Sequence, residues 1–217
     1  MKTDVVKTSE NSITVRGTPI AQWALGLGYF QAFADLHGLT HDAATRCERV
    51  AILFCDHGIN PPSTVAARLA ASCGSGIQNS MIAALACMAG DYHVQAVLRA
   101  AKFLSARVGG ERLPMPANIP GLGHQIHSDD PRVAVLISAF GDGSAMTELR
   151  AISKATGIPV NIAGACAAAL VDAGLPIELT PVPVILGRML GISVHWREQA
   201  NQNQKSICYD GERFMED

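Results

Sequence analysis

Apolar residues fall at Ala43, Cys47, Val50, Ala51 and Phe54, one face of a chain at helical spacing. This pattern predicts a helix that closes on His57 in "FCDHGIN". Asn60-Pro61-Pro62 breaks the chain and restarts it, with Asn60 as N-cap and Pro61 as first helical residue ahead of "STVAARLAAS". "IQNSMIAALACMAG" reads as a buried helix stopped by Gly90, and "HVQAVLRAAKFLSARVGG" as another ended by Gly109-Gly110. Leu113 to Gly123 is a Pro- and Gly-rich connection. Helices are also expected from Ala145 to Thr156, from Asn161 to Gly174, and from Thr180-Pro181 onward. The last carries a stripe of Val182, Ile185, Leu186, Met189, Leu190 and Val194. "VAVLISAF" at 133–140 is the best strand candidate, and it fits a short buried helix equally well. A mostly α architecture follows.

Composition agrees. Of 217 residues, 48% are apolar and 17% charged, enough apolar material for a large core. Aromatics are 5%, so short aliphatic side chains dominate and helices can approach closely. The net charge is −2 and no Lys/Arg block stands out, so neither a nucleic-acid groove nor an anionic-membrane patch is indicated. Met1 to Gly17 is too polar for a signal peptide, and no uninterrupted apolar run reaches about 18 residues. The six cysteines form no C-x-x-C pair. The expectation is a cytoplasmic protein with free thiols, Cys87 and Cys166 acting as small hydrophobes.

Candidate chemistry is scattered. His57 at a helix end can satisfy carbonyls and the helix dipole. His93 opens a helix, where the dipole favours a neutral imidazole or a bound anion. "PGLGHQIHSDDPR" packs His124, His127, Asp129, Asp130 and Arg132 behind a glycine turn. A metal site there would need a second ligand cluster, and none is seen; a phosphate loop would need more glycines and a strand before it. Asp129-Asp130-Pro131-Arg132 reads as a turn and helix start, with Arg132 an ion-pair partner or a fork for a carboxylate. Arg188, in the apolar "VILGRMLG", needs a carboxylate from the protein or from a ligand.

Together, "DHGINPPSTVAARLAAS", "GDYH", "GLGHQIHSDDPR", "PVNIAGACAAALVDAGLP" and "ILGRMLGISVHWRE" resemble, in order and spacing, the citrate synthase superfamily. The short citryl-CoA lyase-like members look most similar, over residues 50 to 210. The resemblance implies an all-α fold with a large helical domain (1–90 plus 164–217) and a small inserted domain (91–163), as a homodimer. It implies C–C bond making or breaking between a CoA-thioester enolate and a 2-oxoacid, with no cofactor or metal required and a small polycarboxylate as substrate. In its terms His93 stabilises the enol, and His124 polarises the oxoacid carbonyl or deprotonates the hydroxyl in cleavage. His57, Arg132, Arg188 and Asn161 bind substrate.

Several positions depart from the family pattern. The catalytic aspartate of an Asn-Val-Asp motif is matched by Ala163 in Asn161-Ile162-Ala163. Acid–base help is typically worth about 10²–10⁴-fold, and alanine offers none. Val94-Gln95 replaces a Gly-Gly pair after the enol-stabilising histidine, and the loop from His124 to Asp-Pro-Arg is one residue short. Ser206 stands where an arginine is commonly lent to the partner subunit, with Lys205 the nearby cation. Three readings follow: a C–C lyase or synthase with altered acid–base chemistry, a ligand-binding homologue or partner subunit, and a helical domain that has kept only its fold.

Overall fold

The structure, a computed structural model, describes residues 5–9, 12–91, 93–111, 113–123 and 130–202. It opens with a small antiparallel sheet of β1 (Val6–Ser9), β2 (Ser12–Val15) and β3 (Thr18–Pro19) in the order β1-β2-β3. Val6 pairs with Val15, and Val15 also with Thr18. Arg16 and Gly17 turn the chain at positive φ, and Arg16 donates to the carbonyls of Asp35 and Leu36. The remaining elements are helices: α1 (Ile20–Leu25), α2 (Tyr29–His37), α3 (His41–Leu53), α4 (Pro62–Ser72), α5 (Ile77–Met88), α6 (Gln95–Val108), α7 (Pro131–Phe140), α8 (Ser144–Thr156), α9 (Ile162–Asp172) and α10 (Pro181–Ala200).

The expected helices from Ala43 onward all form, with shifted ends. α3 stops at Leu53, so His57 lies beyond the helix rather than in its last turn. Pro61 rather than Asn60 is the N-cap of α4: proline at 62 disfavours a helical residue before it, and Pro61 stays extended at φ −58°, ψ 140°. The strand candidate at 133–140 is helix α7. Asp130 caps it by accepting the Arg132 N–H, and Pro131 needs no N–H partner at the first position.

α9 is apolar all round and nearly all of it is buried, as a central helix must be. Its run of Ala165 to Ala169 lets α6, α7, α8 and α3 pack on it closely. α10 packs on α3, α4 and α5. Its burial differs from the expected stripe: Leu190 and Val194 are exposed, while Val184, Gly187, Arg188, Gly191, Ile192 and His195 are buried. The segment Ile177–Ala200 is long and apolar enough to cross a membrane. Here three helices cover it and it buries an arginine, a histidine and a glutamine.

Candidate functional site

Two glycines seat α10. A Cβ on Gly187 would lie 2.0 Å from the Ala51 carbonyl oxygen, and one on Gly191 would lie 2.1 Å from that of Cys55. Only glycine permits this approach. It brings Arg188, between them in sequence, to the segment that follows α3. Arg188 is 4% exposed, and its Nε and Nη1 have no hydrogen-bond partner among the described residues. Burial pulls its pKa below the usual arginine range; the Asp56 carboxylate opposes that shift, Arg132 adds to it, and Cys55 opposes it. Asp56, Arg132 and Cys55 are therefore within its field.

His57 sits on an exposed turn organised by one carboxylate. Asp56 Oδ1 accepts the N–H groups of His57 at 2.7 Å and Gly58 at 3.0 Å, with Gly58 at φ +77°. Burial pushes the Asp56 pKa up. The His195 hydrogen bond and the two backbone N–H groups outweigh it and hold the carboxyl below its ordinary value.

His93 lies just before α6 and is half-buried. Its Nε2 is 2.9 Å from Oγ of Ser63, which is fully buried near the start of α4. Burial first, then the positive charges of Arg188 and His57, hold its pKa below that of an ordinary histidine. The ring is thus a neutral one, and its electrostatic neighbours are those of the expected oxoacid site. Val94, beside it, is buried.

Arg132, on the first turn of α7, clasps its own cap. Nε and Nη2 reach the two oxygens of Asp130 at 2.9 and 2.7 Å, and Cζ lies 5.5 Å from the Phe54 ring centroid. The two uses foreseen for Arg132 thus divide: the protein supplies one carboxylate, and the charge still reaches Arg188.

The turn before His124 is stitched to the start of α9. Gly121 accepts the Asn161 N–H, the Gly123 N–H reaches the Pro159 carbonyl at 2.8 Å, and the two glycines Gly121 and Gly164 touch. Asn161 uses both ends of its amide here: Oδ1 accepts from Gly164 N at 2.9 Å and Nδ2 donates to Gly123 O at 2.7 Å. Its side chain is seen as a cap and tether, and Ala163 follows on the first turn. His124, His127, Asp129, Lys205 and Ser206 lie outside the described residues. Among those described, no three His, Cys, Asp or Glu side chains are grouped to hold a metal.

His57, His93, Arg132 and Arg188 are thus brought into one electrostatic neighbourhood. Ser63, Asp56 and His195, which hold two of them, were not foreseen. They are ordinary polar residues, and Asp56 and His195 lie 139 positions apart.

Comparison with known proteins bears on the family and the fold. The family model described as citrate synthase, C-terminal domain, matches residues 7–209. A search of the curated proteins finds no match. Among solved structures, citryl-CoA lyase from Hydrogenobacter thermophilus is similar over 100% of this chain and 94% of its own, at 25% identity and TM-score 0.87. ATP citrate lyase of Methanosaeta concilii, solved with (3S)-citryl-CoA, is similar at 21% identity and TM-score 0.83; this chain covers 41% of it and 98% of itself is matched. Citrate synthase of Thermoplasma acidophilum, solved with carboxymethyl coenzyme A and oxaloacetate, gives 22% identity and TM-score 0.63 over 82% of this chain and 54% of that one. By fold, by the order of its motifs and by a family match over nearly its whole length, the chain belongs to the citrate synthase family, as an all-α enzyme of the synthase or lyase type.

Proposed function

We propose that the chain makes or breaks a C–C bond of a small polycarboxylate, joining or parting a 2-oxoacid and an enolate, with a CoA thioester as a candidate substrate. One observation carries this reading. Arg188 is a buried guanidinium with two nitrogens unpartnered among the described residues, and a ligand carboxylate is the group that would complete it. His57 and Arg132 lie in the same electrostatic neighbourhood, Arg132 with its own charge paired to Asp130.

The roles follow from chemistry. If the Ser63 hydroxyl donates to His93 Nε2, the ring keeps its proton on Nδ1 and can donate it to a developing enolate oxygen. Its neutrality suits that task, as does its place at a helix start. His124 is assigned the oxoacid carbonyl, or the hydroxyl in the cleavage direction. An open cavity of about 670 Å³ lies between α7 and α8, with Arg150 and Lys154 on its wall, and none of His57, His93 or Arg188 lines it. Closure of 91–163 over the rest of a homodimer would exclude water. Because Ala163 can neither take nor return a proton, the enolate arises through another acid–base group, by loss of CO₂, or by retro-aldol cleavage with the proton returned by water or His93.

Incubation with citryl-CoA and related polycarboxylates, with products followed by mass spectrometry, tests the reading. Turnover that His124→Ala abolishes supports it. No turnover across the panel, with the variant indistinguishable from the parent, refutes it. Ala163 and the buried Val94 favour a second reading, a homologue that binds a carboxylate or CoA without turnover. In that case citrate, oxaloacetate or CoA at about 100 times Kd should still stabilise the fold by about 2.7 kcal/mol.

A further inference from the structure

The polar contacts behind His57 form one continuous chain across three elements. Arg68 on α4 donates from Nη1 to Glu198 Oε2 at 3.0 Å and to His195 Nδ1 at 3.4 Å. His195, on α10 and 6% exposed, places Nε2 3.0 Å from Asp56 Oδ1. The same oxygen gathers the N–H groups of His57 and Gly58. Residues 55–60 have no regular structure, so this carboxylate is what organises the turn.

The geometry also fixes a tautomer. A guanidinium only donates, so the His195 nitrogen that faces Arg68 must offer a lone pair. The ring proton then sits on Nε2 and is donated to Asp56. Glu198 Oε2 is 3.7 Å from Nδ1, but Arg68 already holds that oxygen.

We infer that His195 is a positioning residue: kept as its Nε2–H tautomer by Arg68, it anchors Asp56 and, through Asp56, the turn that presents His57 to substrate. Its consequence for binding rests on the carboxylate reading above. Its consequence for the turn does not. Fixing a loop before binding removes an ordering penalty, so the effect falls on affinity.

The test compares the parent with His195→Gln and His195→Met. Glutamine can donate to Asp56 and accept from Arg68, as the inferred tautomer does; methionine can do neither. Three quantities are read: the ¹⁵N resonances of the His195 ring, hydrogen exchange of the His57 and Gly58 amides, and the Kd for citrate and oxaloacetate. The expected result is an unprotonated Nδ1, with exchange and affinity held in His195→Gln. In His195→Met both amides exchange faster and affinity drops by about tenfold or more. A proton on Nδ1 overturns the inference. So does a folded His195→Met with unchanged amide exchange, or a His195→Gln as impaired as His195→Met. If the parent binds neither compound, the carboxylate reading fails by itself, and amide exchange still decides whether His195 holds the turn.

Discussion

Arg188 and His93 show how single residues carry the site. An unpartnered buried guanidinium destabilises the fold that holds it. Arg188→Met, similar in length and apolar, should therefore raise the melting temperature, by about 2–4 °C for each kcal/mol of strain relieved, while removing any stabilisation by citrate or oxaloacetate. A lower melting temperature would mean that the protein already satisfies the guanidinium. His93 gives a prediction in pH. Its folded pKa lies below the usual 6.5, because burial and then Arg188 and His57 disfavour its charged form. The unfolded chain therefore takes up the proton first as pH falls. Its contribution to stability is full above about pH 6.5 and is lost as pH falls through the depressed folded pKa. Thermal melts from pH 8 down to 5, compared with His93→Gln, should show the parent losing more stability in that window. Equal losses would remove His93 as the cause.

At the scale of elements, α10 reaches the site only because Gly187 and Gly191 let it lie against the backbone of α3 and the turn after it. Gly191→Ala should destabilise by about 1–3 kcal/mol, since its Cβ would meet the Cys55 carbonyl, whereas Arg197→Ala at an exposed position of the same helix should change little. Urea midpoints separate the two, and equal midpoints would refute the seating argument. The helices themselves are most legible where caps and spacing agree, as at Asp130-Pro131 and at Gly157, which ends α8 in a left-handed conformation. Ambiguity at 133–140 came from an apolar run too short to show a period, and only the cap before it decides for helix. The β strands near the N-terminus were not legible: Val6–Ser9 is exposed throughout, so no alternation marks a buried face. α2 carries a legible signal outside the expected helices, since Phe30, Phe33, Ala34 and His37 have the helical spacing. Of the site, the histidines and arginines could be named from their motifs. The lack, among the described residues, of a partner for two Arg188 nitrogens, the Asp130 clasp on Arg132 and the chain from Arg68 to His57 are tertiary facts that no local pattern contains.

Among the described residues, three packed helices leave apolar side chains that their own packing does not cover. α4, α5 and α10 pack on one another, and each also presents large apolar side chains to solvent: Val65 and Leu69, Ile82 and Leu85, Leu190 and Val194. Grouped exposed apolar residues of this kind mark an interface. A two-fold dimer would cover the same patch on both copies, which suits the homodimer expected from the family resemblance. The expectation is a particle of twice 22.9 kDa in sedimentation. Its melting temperature should rise with protein concentration, because association stabilises only the folded chain. Ile82→Glu with Leu190→Glu would set unpaired charges into that contact, and should give a folded monomer whose melting temperature no longer depends on concentration. A parent that sediments as a monomer would remove the interface, and a charged double variant that stays dimeric would place it elsewhere; either leaves these six side chains without a use.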